Sequence, residues 1–235
     1  MTTMDQEGHE TTRNERENRA FLFDLDGVIV NSEQAWYDHA PDFQAELYGE
    51  DIFRKLGNST IGVSLEVEFE MAKQVGFTME SDTFFERWER QAIEIYARAN
   101  ITAGLDRLVE RLCILGFRIG LVSASRSTWI SYALEKVSFR DQLDTIVSLP
   151  ARPELRPKPH PDGYLAAMRH LGARPETTLV LEDSNAGIQA GKAAGALTIG
   201  FRENLVPGYP QDGADLYADT LGDVLRIVEH WSATR

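Results

Sequence analysis

The sequence predicts an α/β protein, a doubly wound parallel sheet that is interrupted once by a helical insert. Three observations support this fold class. Short apolar runs alternate with amphipathic stretches along most of the chain. The runs are apolar at both alternating positions, as expected of parallel strands that helices cover on both faces. One long helix-patterned stretch breaks the alternation, and it is too long for an ordinary crossover between strands.

Five apolar runs predict the strands, and helix-patterned stretches separate the later ones. A last amphipathic stretch, LGDVLRIVEHW, predicts a helix that closes the chain. The predicted strands are AFLFDLD (20–26), RIGLVSAS (118–125), DTIVSLP (144–150), TTLVLEDS (177–184) and ALTIGF (196–201).

The interrupting stretch, residues 35–101, predicts a helical cap. Its apolar residues recur at spacings of three and four, and Gly49 and Gly76 are typical of helix ends. Because it follows the first strand directly, we expect it to lie above the end of that strand. The predicted organisation is a disordered polar tail (1–18), a core in two segments (19–34 and 102–235) and the cap (35–101).

The composition narrows the possible partners and the location. The 235 residues include 43% hydrophobic residues, enough for a sizeable core, and carry a formal net charge of −13. This charge disfavours nucleic acid and anionic membranes, so we expect neither as a partner. The sequence shows neither a signal peptide nor a membrane span, and its single cysteine suits a reducing compartment. We therefore expect a cytoplasmic protein, with Cys113 as a small core residue rather than a catalytic thiol.

Polar residues stand at the carboxyl ends of three predicted strands. The first strand ends at Asp24, the second at Ser123, and the fourth at Glu182 and Asp183. Since ligands of open α/β sheets bind at this edge, we expect these side chains to converge. Crowded carboxylates need a counter-ion, and carboxylate oxygens with phosphate oxygens are ligands that Mg²⁺ prefers. The pattern therefore predicts a magnesium site.

Lys158 supplies a possible second cation, in the segment LRPKPHPDGY. Prolines on both sides restrict its backbone, so its ammonium can bind a phosphate at a defined point. Asp24 can then attack phosphorus as a nucleophile. Asp26, just past the strand, can protonate the leaving oxygen and later deprotonate water.

Each of these features also has an ordinary structural interpretation. A lone D-x-D is common in turns, and Ser123 alone could cap a helix. Lys158 alone could be a solvated surface residue, and the Glu182–Asp183 pair could start a helix, where acidic residues suit the dipole. The functional interpretation depends on all four features standing in order at strand ends.

In that order, the motifs resemble the haloacid dehalogenase-like (HAD) hydrolase superfamily, in its helical-cap phosphatase and phosphomutase branch (β-phosphoglucomutase-like and sugar-phosphatase-like members). The resemblance covers about residues 20–220 and is highly specific. The four matching motifs are DLDGV (24–28), LVSAS (121–125), RPKPHPDGY (156–164) and LEDSNAGIQAGKAAGA (181–196). The fold this implies is a Rossmann-like core with a small inserted α-helical cap. The resemblance also implies a monomer, since members like this are often monomeric.

By this resemblance, Asp24 is the nucleophile of an aspartyl-phosphate mechanism and Asp26 the general acid and base. Ser123 and Lys158 bind the transferring phosphoryl group, helped by the backbone N–H of Ala124. Asp24, the carbonyl of Asp26, Glu182 and Asp183 hold Mg²⁺. Because dehalogenases of the superfamily lack the second aspartate, Asp26 favours phosphate chemistry.

The predicted function is a Mg²⁺-dependent phosphomonoesterase acting on a small phosphorylated metabolite, a sugar or polyol phosphate. The predicted substrate residues are Asn58, Thr60, Ser125 and Arg126, with Arg126 a candidate for a second anionic group. Mutase-like members carry a histidine near Trp36 and an arginine near Thr60, and neither is matched here. A phosphosugar mutase of the β-phosphoglucomutase type, or a non-catalytic phosphate-binding regulator on the same fold, are the alternatives.

Overall fold

A computed structural model describes residues 19–57 and 65–234. These residues form a six-stranded parallel sheet in the order β5-β4-β1-β6-β7-β8 and a separate pair of short antiparallel strands, β2 and β3. The strands are β1 (Ala20–Phe23), β2 (Val30–Asn31), β3 (Asn100–Ile101), β4 (Arg118–Ser123), β5 (Thr145–Ser148), β6 (Thr178–Glu182), β7 (Leu197–Phe201) and β8 (Leu216–Ala218). The predicted fold class is confirmed.

Helices connect the strands and fill the interval between β2 and β3. The four between β2 and β3 are called the insert helices: α1 (Glu33–Tyr48), α2 (Glu50–Leu56), α3 (Leu65–Gln74) and α4 (Ser81–Arg98). The remaining helices are α5 (Leu105–Ile114), α6 (Ser127–Leu134), α7 (Asp162–Leu171), α8 (Asn185–Ala193) and α9 (Leu221–Ala233). None of the helices in the described part of the chain is long and apolar enough to span a bilayer.

The alternation of side chains along β1 divides the core between the two faces of the sheet. Phe21 and Phe23 pack on the face shared with α5, α9 and the insert helices. Ala20 and Leu22 pack on the other face, in a cluster that includes residues of α7 and α8. All four are fully buried. A run of apolar residues at every position is therefore what a central, doubly covered strand requires.

Several details depart from the sequence-based expectations. The six-stranded sheet gains β8, and the predicted cap segment is joined to the rest of the chain through β2 and β3, neither of which was expected. Cys113 was expected in the core, but its side chain is exposed near the end of α5. Helix α5 turns its buried stripe, which includes Leu108 and Leu112, toward the sheet, and Cys113 falls on the solvent side of that stripe.

Candidate active site

Strand β1 delivers Asp24 to the centre of the carboxyl edge. Its neighbours are β4, which ends at Ser123, and β6, which ends at Glu182. The backbone N–H of Asp24 still bonds to the carbonyl of Leu181, at 3.0 Å, so its position is set by the sheet. Leu25 then points into the core, and Gly27 adopts a φ of 73°, which turns the chain back above the sheet.

Lys158 lies directly beside Asp24. Its Nζ is 2.5 Å from Asp24 Oδ1 and 2.5 Å from Glu182 Oε1, and it also donates to the carbonyl of Val122 at 3.2 Å. The side chains of Lys158, Asp24 and Glu182 are all at most 9% exposed. Since an ammonium in such a position has lost its water, these three acceptors replace the lost hydration.

The loop that carries Lys158 is closed by an exposed ion pair. Arg156 donates from its backbone N–H and its guanidinium to Asp162, with Nε and Nη2 at 3.0 and 2.9 Å from the two carboxylate oxygens. These hydrogen bonds lower the pKa of Asp162 to about 2. The segment between them therefore forms a short loop whose two ends are joined, which limits the positions that Lys158 can take.

Glu182 is fully buried and its oxygens are surrounded by donors. Besides Lys158, Tyr164 Oη donates to Oε1 at 2.6 Å, and Ser184 Oγ donates to Oε2 at 3.1 Å. A glycine makes room for this carboxylate, because a Cβ at Gly187 would lie 1.9 Å from Glu182 Oε1. Strand β6 thus ends in a buried acid, Glu182, and the helix that follows, α8, approaches its carboxylate closely.

Asp183 completes a buried acidic cluster. Carboxylate oxygens of Asp24, Glu182 and Asp183 lie within 4.8 Å of one another. The backbone carbonyl of Asp183 accepts a hydrogen bond from Gln211 Nε2 at 2.6 Å, which fixes the segment that carries it. Three carboxylates facing one ammonium leave an excess of negative charge, and a hard divalent cation fits such a donor set.

Burial and the neighbouring charges together shift the pKa values of Asp24 and Lys158. Burial raises the pKa of Asp24; the Lys158 ammonium opposes the rise, and repulsion from Glu182 adds to it. For Lys158, burial acts against the charged form, but attraction to Asp24 and Glu182 outweighs it, so its pKa is raised as well. The cluster therefore holds its protons tightly, as expected of a site with too few cations for its carboxylates.

Asp26 has a different environment, because hydroxyl groups surround it. Ser32 and Tyr96 donate to Oδ1 at 2.5 and 2.7 Å, and Ser125 donates to Oδ2 at 2.6 Å. Tyr96 belongs to α4, so one of the insert helices reaches the candidate site. The Tyr96 hydroxyl also lies 3.3 Å from Ser125 Oγ.

The loop after β4 carries the predicted phosphate-binding residues. Ser123 is buried, and its Oγ accepts the backbone N–H of Ser125 at 2.9 Å, while Ala124 is exposed at the turn. The carbonyl of Ser125 accepts Ser148 Oγ at 2.9 Å, which ties the loop to the end of β5. These bonds bring Ser125 to Asp26, an association that the sequence-based analysis did not anticipate.

Arg126 lies against the insert helices. Its Nη2 is 3.4 Å from Glu66 Oε1, and its guanidinium lies 4.4 Å from the ring centre of Phe85. Its predicted role toward a second anionic group stays a prediction. The predicted substrate residues Asn58 and Thr60 lie outside the described residues.

Aromatic residues form a second contact between the insert helices and α6. Trp129 donates its indole N–H to Glu89 at 2.7 Å, and its ring stacks on Trp36 with centroids 5.5 Å apart. Trp36 in turn lies 6.0 Å from Trp88, which is buried within the insert helices against Phe43. Trp36 and Trp88 therefore both pack within this aromatic cluster.

Three residues of the site were missed from the sequence: Tyr96, Ser32 and Tyr164. Tyr164 could have been found, since it lies in the RPKPHPDGY motif, two residues after Asp162. Tyr96 carries no local signal, because it is one aromatic residue among many in a helix-patterned stretch. Its role depends on where the end of α4 returns to the sheet.

The parallel sheet has an acidic carboxyl edge, and helices are inserted after its first strand. Residues 21–201 match the family model described as haloacid dehalogenase-like hydrolase, and the chain belongs to this family. The predicted family and enzyme class are confirmed.

Related proteins include both phosphatases and a mutase. The chain is 31% identical over 183 residues to hexitol phosphatase B of Escherichia coli strain K12, covering 76% of this chain and 81% of the relative. It is 28% identical over 228 residues to β-phosphoglucomutase of Bacillus subtilis, covering 92% and 97%. The relatives thus fall in the phosphatase and phosphomutase branch of the family.

Solved structures agree with the fold. A β-phosphoglucomutase from Clostridium difficile superposes with a TM-score of 0.71 at 23% identity, covering 92% of this chain and 97% of that one. A HAD family hydrolase from Deinococcus radiodurans R1, solved with bound phosphate and sodium, gives 0.63 at 27% identity, covering 93% and 97%.

Proposed function

We propose that this protein is a Mg²⁺-dependent phosphomonoesterase that acts through an aspartyl-phosphate on a small phosphorylated metabolite. The observation that carries the proposal is the buried pair of Asp24 and Lys158 inside the acidic cluster. This arrangement supports Asp24 as the nucleophile and Lys158 as the phosphate-binding ammonium, beside carboxylates that suit a cation.

The donor set suits Mg²⁺. Asp24 and Asp183, with the backbone carbonyl of Asp26, would hold the ion directly. Glu182 belongs to the predicted ligands too, but its oxygens accept hydrogen bonds from Lys158, Tyr164 and Ser184, which favours a role in holding Lys158. When bound, the ion neutralises charge that develops on the phosphoryl oxygens.

The chain's own residues account for both half-reactions. An Asp24 oxygen attacks phosphorus, the bond between phosphorus and the leaving oxygen breaks, and protonated Asp26 gives its proton to that oxygen. Asp26 then takes a proton from water as the water oxygen attacks the same phosphorus. The bond from phosphorus to Asp24 breaks, and inorganic phosphate leaves. Lys158 and Ser123 orient the phosphoryl group throughout.

The relatives favour a sugar or polyol phosphate as the substrate. Hexitol phosphatase B acts, by its name, on a hexitol phosphate, and β-phosphoglucomutase on a phosphorylated sugar. The Deinococcus radiodurans hydrolase, at 27% identity, holds phosphate. Arg126, Asn58 and Thr60 remain the proposed contacts to the remainder of the substrate.

Hydrolysis is favoured over phosphosugar mutation by the residue at position 36. Mutase-like members have a histidine near this point, whereas Trp36 stacks on Trp129 and brings no titratable group. A mutase would convert a sugar phosphate into its isomer and depend on a bisphosphate, whereas a phosphatase releases inorganic phosphate.

The test is a screen of phosphate release from a panel of sugar, polyol and aryl phosphates, with Mg²⁺ and with a chelator. We expect turnover that the chelator abolishes and that Mg²⁺ restores. The Asp24→Asn variant should be inactive, while Asp38→Asn, a matched change at an exposed residue of α1, should retain activity. Phosphate release that survives Asp24→Asn would refute the proposed nucleophile, and isomerisation without release would favour the mutase.

A further inference from the structure

Tyr96 reaches the proposed acid and base from outside the four family motifs. It lies in the last turns of α4, is 1% exposed, and donates its hydroxyl to Asp26 Oδ1 at 2.7 Å. A buried phenol needs a hydrogen-bond partner, and here the partner is the carboxylate that must move a proton.

The hydrogen bonds of Asp26 are unequal between its two oxygens. A carboxylate has about four lone-pair directions, two on each oxygen. Oδ1 accepts from Ser32 and Tyr96, whereas Oδ2 accepts from Ser125. Among the described residues, the open direction is therefore on Oδ2. Since Oδ1 is fully occupied, the proton that Asp26 carries belongs on Oδ2.

We infer that Tyr96 is a positioning residue for Asp26: with Ser32 it occupies Oδ1, holds the carboxylate in one orientation, and leaves Oδ2 to exchange a proton with the leaving group. The inference rests on the proposed function, since it assigns Asp26 a proton to deliver. It gives an insert helix a direct part in the chemistry of the leaving group.

The end of α4 is held in a way that suits this role. The Nζ of Lys136, which follows α6, donates to the carbonyls of Tyr96 and Ala97, each at 2.6 Å, and of Ala99 at 3.1 Å. These carbonyls lie at the helix C-terminus, where a cation is favourable. The Tyr96 ring also packs edge-on against Trp36, with centroids 6.3 Å apart. Backbone and ring are thus both fixed beside Asp26.

The consequence depends on the leaving group. An alkyl or polyol alkoxide is a poor leaving group and must receive the Asp26 proton as its bond to phosphorus breaks. A nitrophenolate leaves without that proton, so it does not need an oriented acid. Removing the Tyr96 hydroxyl should therefore slow the attack of Asp24 on alkyl phosphates and spare the same attack on aryl phosphates.

The test compares Tyr96→Phe with wild type on glycerol phosphate and on p-nitrophenyl phosphate, using kcat/KM, which reports the first phosphoryl transfer. We expect a loss of about tenfold or more on the alkyl ester and of about twofold or less on the aryl ester. Tyr37→Phe, at a tyrosine that is 64% exposed, is the matched control and should change neither value. Equal losses on both esters, or no loss, would overturn the inference.

Two further variants separate positioning from damage to the fold. Ser32→Ala removes the other donor to Oδ1 and should lower the ratio of alkyl to aryl kcat/KM in the same direction. In an Asp26→Asn background, adding Tyr96→Phe should cause no further loss on the alkyl ester, because the acid is already absent. Independent, multiplicative losses would contradict the inference. A wild-type protein that hydrolyses no phosphate ester of the whole sugar, polyol and aryl panel would overturn the proposed function and the inference with it.

Discussion

Helix α8 approaches the Glu182 carboxylate closely at Gly187, which makes Gly187→Ala an informative substitution. A Cβ added at Gly187 would lie 1.9 Å from both Cδ and Oε1 of Glu182, and 2.1 Å from Oε2. Glu182 is fully buried and hydrogen-bonded on both oxygens, so it has no solvent-filled space into which to rotate. Either the carboxylate or the helix must move.

The size of the effect follows from the distances. An ordinary contact begins at 3.4 Å, so relieving the overlap takes a shift of about 1.5 Å. Since Lys158 Nζ lies 2.5 Å from Glu182, the shift breaks that bond and displaces the ammonium beside Asp24. Misplacement by about 1 Å near the reacting groups costs on the order of 10²-fold in rate. Breaking a buried ion pair costs about 3–5 kcal/mol, against a gain of about 1 kcal/mol in helix propensity.

The assay measures kcat and the free energy of unfolding for Gly187→Ala and for a control, Gly222→Ala. Gly222 lies in the first turn of α9, and the nearest atom to a Cβ added there is 3.4 Å away. We expect the first variant to lose about 10²-fold in kcat and about 2–4 kcal/mol in stability, and the control to keep both. Shortening the acid with Glu182→Asp in the Gly187→Ala background should recover part of the stability. Wild-type kcat and stability in Gly187→Ala would refute the argument.

Three other changes test the surroundings of the site. Burial raises the pKa of Glu68, so the folded state binds this proton more tightly than the unfolded chain, and stability falls as pH rises through the raised pKa. We therefore expect Glu68→Gln to raise the Tm at about pH 8, and the gain to shrink toward about pH 5. An equal gain in Tm at both pH values would contradict this. Arg156→Met opens the loop closed by Asp162 and should raise KM several-fold at nearly unchanged Tm, unlike a variant that simply unfolds. Trp129→Phe removes the hydrogen bond from the indole N–H to Glu89 and should lower the free energy of unfolding, measured by chemical denaturation, by about 2 kcal/mol. An unchanged free energy of unfolding would mean that water replaces the indole as the partner of Glu89.

The sheet was predictable because its strands are buried on both faces. Residues 20–23 and 178–182 are apolar almost throughout and end abruptly in acids, which is a pattern that few other structures produce. Strand β8 was missed because it is a short edge strand whose Leu216 and Tyr217 are partly exposed. Its pairing with β7 is a tertiary contact, and a run of three residues is too short to predict it.

The site was most predictable where its residues stand at strand ends. Asp24, Ser123 and Asp183 could be proposed together because parallel strands finish at the same edge. The contacts of Tyr96 and Ser32 with Asp26 depend on how the insert helices return to the sheet. The helical spacing of apolar residues does not encode this arrangement. A helical pattern indicates which residues face inward, but it does not specify what they meet there.

The two acids of DLDG show how neighbouring, chemically identical side chains can take different parts. Asp24 continues the strand and is surrounded by charged groups, with Lys158 at 2.5 Å and a buried acidic cluster around it. Asp26 has left the strand and is surrounded by neutral hydroxyls. A carboxylate beside a fixed ammonium suits attack on an anionic phosphoryl group, whereas one held by hydroxyls can gain and lose a proton without breaking an ion pair. The proposed division of roles between Asp24 and Asp26 therefore rests on what each contacts, and the turn at Gly27 separates their two environments.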